Sequence, residues 1–173
     1  MSSISAPVIQ RASERALKHH TSLCRVLRIA AEIRAKSEIP VLLFTYMNPV
    51  MRYGIEKLAG DARQAGVDGC LLTDLSVEEA GPYIETMRAP DLDTVFLVAP
   101  TSTDRRLELV AKYSSGFVYL VSRSGVTGEQ VSVSAAVKPL IERTRGVTDL
   151  PLAVGFGIAK PEQAREVGSL ADG

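Results

Sequence analysis

Apolar positions recur along this chain in two alternating periods. Five short runs are apolar almost throughout, as strands buried on both faces are. They are IPVLLFTY (39–46), DGCLLTD (68–74), DTVFLVAP (93–100), GFVYLVS (116–122) and LPLAVGFG (150–157). Between them the spacing changes to that of a helix with one apolar stripe. In 22–36 the stripe is Leu23, Val26, Leu27, Ala30 and Ile33, with Ser22 placed to cap it. In 52–66 it is Ile55, Leu58, Ala59 and Ala62, ending at Gly66. A helix over 76–88 has Ser76 as its cap and Glu78 and Glu79 at its positive end. Helices are also predicted over 102–116 (Leu107, Val110, Ala111), 132–144 (Val133, Val137, Leu140, Ile141, with Pro139 inside) and 160–170 (Pro161 in the first turn).

Successive strands start 29, 25, 23 and 34 residues apart. Strand and helix in alternation predict a parallel sheet with crossover helices. Two architectures satisfy this: an open doubly wound sheet and a (β/α)₈ barrel. Even unit lengths and the lack of an evident switch point favour the barrel. A barrel takes about 250 residues, so 173 residues with about five parallel strands are expected to form part of one, a single truncated domain over 1–173.

Composition removes some functions. Lys plus Arg and Asp plus Glu number 20 each, so nothing favours nucleic acid or an anionic membrane as partner. There is no Trp, and aromatic residues make up 5%, too few for a base-stacking platform. The N-terminus lacks the apolar core of a signal peptide, and no run reaches the length of a membrane span. A soluble cytoplasmic protein is expected, with Cys24 and Cys70 as buried, reduced thiols.

In a barrel the working residues sit where strands run into the following loops. Two glycine-bearing loops fall there, 123–128 and 155–158. Backbone N–H groups beside glycines can approach an anion closely. Such glycines can equally just make the turn. Asp74, at a strand end, is either a proton-transfer group or a ligand of a helix end or loop backbone. His19 and His20 are adjacent on a polar stretch and are expected to face solvent. No Cys/His set has metal-ligand spacing, and Lys36, Lys57, Lys112, Lys138 and Lys160 fall on helices or their edges, away from a Schiff-base position.

Six segments then become specific: PVIQRASERAL (7–17), LFTYMNPVMRYG (43–54), AGVDGCLLTDLSVEEA (65–80), FLVAPTSTDRR (96–106), GFVYLVSRSGVTG (116–128) and LPLAVGFGIAKPEQ (150–163). In this order and spacing they resemble the α subunit of tryptophan synthase. The resemblance implies a lyase that cleaves indole-3-glycerol phosphate to indole and glyceraldehyde 3-phosphate, a retro-aldol reaction in a TIM barrel of which these residues cover strands 3–7. It implies no cofactor on this chain. Pyridoxal phosphate belongs to the partner β subunit, which takes up the indole within an α2β2 heterotetramer. By the same resemblance Phe44, Tyr46, Leu71, Thr73, Leu97 and Tyr119 line the indole pocket, although plain barrel filling would use the same residue types. Gly128, Phe156 and Gly157 lie by the phosphate, and Thr127 meets a catalytic aspartate. Asn48, Pro49 and the turn at Ser76 match the face toward the β subunit, with Ser76 in place of a usual proline.

The resemblance also shows departures. Ser5 and Ala6 stand where the family has the aspartate and a glycine, and the family's glutamate belongs to a strand upstream of the matched segments. Strands 1, 2 and 8 are not among the residues matched. No catalytic carboxylate is therefore assigned here, and this chain alone is expected to be inactive. Two readings remain: part of a working α subunit, or a non-catalytic truncated homologue that binds or regulates a β subunit. Another phosphate-binding barrel enzyme is a third option, and the match at 119–128 weighs against it.

Overall fold

A computed structural model describes residues 6–121, 133–155, 158 and 160–173, with side chains described for 10–121, 137–155, 158 and 160–173. Eight helices and six strands are found among them. Two compact units divide the chain near Phe96.

In the unit over Pro7–Val95, helices α1 (Ala6–Lys18) and α2 (Leu23–Arg34) precede strand β1 (Leu42–Thr45). The α2 start follows the sequence: the Ser22 hydroxyl accepts the Arg25 N–H at 3.4 Å. Leu27 and Ala30 are buried, whereas Ile33 at the end of the expected stripe is 41% exposed. Cys24 is exposed and only Cys70 is buried, against the expectation of two buried thiols. Cys24 directly follows Leu23 and so turns off the stripe that faces inward.

The expected helix over 52–66 is two helices. They are α3 (Met47–Tyr53) and α4 (Ile55–Gln64), broken at Gly54, whose φ is +93°. Arg52 and Tyr53 belong to α3. Pro49 sits in the first turn of α3, where its missing N–H breaks no helical bond. At the far end of α4 the chain reverses through Gly66 at φ +75°, and the Val67 N–H returns to the Ala62 carbonyl at 3.0 Å.

Strand β2 (Gly69–Leu72) is buried at every position. It pairs in parallel with β1 and with β3 (Asp93–Val95), giving the order β1-β2-β3. Between β2 and β3 the expected helix over 76–88 is a 3₁₀ turn (Val77–Glu79) followed by α5 (Gly81–Arg88). A continuous helix would lose the bond from residue 82 to residue 78, because residue 82 is proline. The helix instead restarts with Pro82 in its first turn. Ser76 makes no capping bond; its hydroxyl donates to the Glu78 carboxylate.

In the unit from Phe96 onward, β4 (Leu97–Val98), β5 (Val118–Val121) and β6 (Leu152–Gly155) are parallel in that order. The single strand expected over 93–100 is thus two. Val95 pairs with Leu71, whereas the Phe96 carbonyl accepts the Tyr119 N–H at 3.1 Å, so the partner strand changes at Phe96. Helix α6 (Asp104–Tyr113) is capped by Thr103, whose hydroxyl accepts the Arg106 N–H at 3.3 Å. Helix α7 (Val133–Arg145) tolerates Pro139 and buries Val137, Leu140 and Ile141. Helix α8 (Pro161–Gly168) starts with proline, as the sequence suggests.

Candidate functional site

Among the described residues expected to form the site, Phe44 and Leu71 lie near the C-terminal ends of β1 and β2, Tyr46 and Thr73 just follow those strands, and Leu97 and Tyr119 lie within β4 and β5. On β1 and β2, Phe44 stands in register with Leu71. Tyr46 and Thr73 follow two residues later on the same side of their strands. The Thr73 N–H donates to the Thr45 carbonyl at 3.0 Å and its hydroxyl does so at 3.4 Å, which holds the two strand ends together. Leu71 is fully buried, while Phe44 is 50% and Tyr46 is 59% exposed. Phe44 and Tyr46 thus leave an apolar, partly open patch with the Tyr46 hydroxyl at its edge, of a kind suited to a flat aromatic ligand, while Leu71 is enclosed and off that surface.

In the other unit Leu97 stands in register with Tyr119, and Tyr119 with Ala153. Leu97 and Tyr119 are both half-buried. Loss of water around the Tyr119 hydroxyl raises its pKa above the ordinary tyrosine value. Gly155, the last residue of β6, has a role that the sequence did not disclose. A methyl group there would lie 1.6 Å from Tyr119 Oη, so glycine leaves the room that the tyrosine ring occupies. The sequence reading treated Gly155 only as part of an anion-binding or turn-forming pair. Thr127, Gly128, Phe156 and Gly157, assigned to substrate and phosphate, lie outside the described residues, as does Ser5.

Asp74 resolves toward the backbone-binding reading. Its carboxylate accepts the N–H of Met47, the first residue of α3, at 2.7 Å. That joins the loop after β2 to the helix carrying Asn48 and Pro49, both exposed. Ser76, two residues beyond Asp74, is half-buried. The sequence offers backbone binding as one of two readings of Asp74 but does not name the donor, because Met47 begins a helix 27 residues earlier in the chain.

Other groups are quiet. His19 and His20 are exposed. Lys57 is held by the Asp61 carboxylate and by the Tyr53 hydroxyl at 3.1 Å, and these bonds raise its pKa, the reverse of what a Schiff-base lysine needs. Burial pushes the Cys70 thiol up to about 11. Among the described residues no group of His, Cys, Asp or Glu could hold a metal ion, and no helix is long and apolar enough to cross a membrane.

The family model described as tryptophan synthase alpha chain matches residues 3–173. The chain belongs to that family. The tryptophan synthase alpha chain of Solibacter usitatus is 67% identical over 163 residues, covering 94% of this chain and 61% of that one. The tryptophan synthase alpha chain of Geotalea uraniireducens is 47% identical over 167 residues, covering 96% and 62%. The chain thus spans about three-fifths of the length of these curated relatives. Among solved structures, one described as the tryptophan synthase a2b2 complex from Pyrococcus furiosus aligns with a TM-score of 0.86 at 36% identity, covering 99% of this chain and 70% of that one. Mycobacterium tuberculosis tryptophan synthase aligns with a TM-score of 0.87 at 36% identity, covering 97% and 64%. The fold class is therefore α/β, a part of the family's (β/α)₈ barrel.

Proposed function

We propose that this chain carries the substrate-holding part of a tryptophan synthase α chain, a lyase that cleaves indole-3-glycerol phosphate to indole and glyceraldehyde 3-phosphate. The family match over residues 3–173 supports this reading most directly. Phe44, Leu97 and Tyr119 are taken to contact the indole, with Tyr46 and Thr73 at the rim of that contact and the fully buried Leu71 supporting Phe44 in register beside it. Gly128, Phe156 and Gly157 are taken to hold the phosphate through backbone N–H groups. The chain itself needs no cofactor in this scheme. Asn48, Pro49 and Ser76 face a β subunit, which carries the pyridoxal phosphate. The setting is cytoplasmic.

Cleavage requires a proton delivered to the indole ring carbon and a proton taken from the adjoining glycerol hydroxyl as the carbon–carbon bond breaks. With Ser5 at the family's aspartate position, and no residue matched to its glutamate, these residues bind substrate without supplying either transfer. Each missing group costs about 10²- to 10⁴-fold in rate. Thr127 then lacks the carboxylate it would meet.

The test is indole release from indole-3-glycerol phosphate, measured beside the Solibacter usitatus relative. The expected rate for the 173-residue chain is below about one hundredth of the relative's. A rate equal to the relative's would show that other residues here move the protons, and the assignment would fall.

A further inference from the structure

We infer that Asp74 is the positioning residue that fuses two separate loops into one surface for the β subunit; this rests on the function proposed above. The surface draws on two places in the chain, Asn48 and Pro49 in the first turn of α3 and Ser76 beyond β2. Nothing in the sequence links them. In the structure, one bond does: the Asp74 carboxylate accepts the Met47 N–H at 2.7 Å.

That bond fills a local deficit. The first N–H groups of a helix have no partner within it. The residue before α3 is Tyr46, extended at φ −118° and ψ 160°, and its side chain makes no capping bond. Asp74 supplies from the loop after β2 the acceptor that a local Ser or Asp would otherwise provide. Thr73, one residue earlier, already ties the two strand ends through the Thr45 carbonyl at 3.0 Å. Asp74 carries that tie past the strand ends and sets where Asn48 and Pro49 stand relative to Ser76. Asp74 is itself exposed, so core packing does not account for an aspartate there.

The bond can be removed from either side. Asp74→Ala removes the acceptor, and Asp74→Asn keeps an amide oxygen in its place. Met47→Pro removes the donor while leaving the carboxylate. A proline suits the first helical position, and the extended Tyr46 suits the residue before it.

The experiment titrates the 173-residue chain and the three variants with the β subunit of the same organism, by calorimetry. Far-UV circular dichroism and urea unfolding of each chain run in parallel. Asp74→Ala and Met47→Pro are expected to weaken binding by about fivefold each, with the double variant no weaker than either. Asp74→Asn is expected to bind within about twofold of the unsubstituted chain. Equal binding by Asp74→Ala would overturn the inference. So would a loss in Asp74→Ala that Met47→Pro does not share, because the carboxylate would then be touching the partner directly. If Asp74→Ala fails to fold, the Met47→Pro and Asp74→Asn pair still decides. No binding by the unsubstituted chain would instead remove the partner reading, and the inference with it.

Discussion

Gly155→Ala separates two accounts of one glycine. If Gly155 merely makes a turn, alanine is harmless, because φ there is not positive and replacing glycine by alanine at a compatible φ stabilises by about 0.5–1 kcal/mol through the unfolded chain. If Gly155 is the space for Tyr119, the methyl group meets Oη at 1.6 Å, Cζ at 2.3 Å and Cε1 at 3.1 Å. Carbon contacts are comfortable at about 3.5–4.0 Å, so the end of the ring must shift by about 2 Å. Tyr119 is half-buried and can swing, which puts the cost of overpacking near the lower end of about 1–3 kcal/mol. After the alanine gain, a net loss of about 0.5 kcal/mol remains, or about 1–2 °C in Tm.

The second variant fixes the cause. Tyr119→Phe removes only Oη and leaves Cζ in the way, so it rescues Gly155→Ala in part. Tyr119→Val removes the ring and abolishes the clash. Unfolding in urea, followed by circular dichroism over the double-mutant cycle, should give a favourable coupling of about 1 kcal/mol or more for Gly155→Ala with Tyr119→Val. Additive effects within about 0.5 kcal/mol would refute the argument. On the proposed function the displaced ring also intrudes on the indole, so Gly155→Ala should weaken ligand binding more than it lowers stability.

Three further outcomes follow from other parts of the structure. A thiol reagent at pH 8 should modify Cys24 alone in the native chain and both cysteines in denaturant; two fast thiols in the native state would contradict the burial of Cys70. The Cys70 pKa is raised by burial from 9.0 to about 11, so the unfolded chain loses this proton first, and stability should fall as pH rises from about 9 to 11, as urea midpoints at fixed pH would show. Gly66→Ala should destabilise by about 2 kcal/mol or more, because it needs φ +75° and places a methyl group 2.5 Å from Arg34 Cγ; an unchanged unfolding midpoint would refute this.

The strands were legible because burial on both faces leaves few polar residues within them, as in β2, where Gly69–Leu72 are all buried. Helix α3 was not legible. Over Met47–Tyr53 only Val50 is buried, and Pro49 reads as a breaker until its place in the first turn is known. The split at Phe96 leaves no mark in DTVFLVAP, since it is a change of pairing partner and not of residue type. Ser22 and Ser76 look alike as caps, yet only Ser22 caps, because Pro82 stops the helix that Ser76 would have begun. At the site, the residues came from resemblance; the roles of Asp74 and Gly155 came from partners distant in the chain, Met47 at the start of α3 and Tyr119 on β5.

The claim that these residues form an indole-holding site is most directly tested by adding indole-3-glycerol phosphate to the 173-residue chain and following the ligand's own fluorescence. The chain has no Trp, so indole emission reports the ligand against a tyrosine background. The account predicts a saturable change at one ligand per chain that is weakened in Gly155→Ala. No saturable change from a chain with native circular dichroism would contradict it.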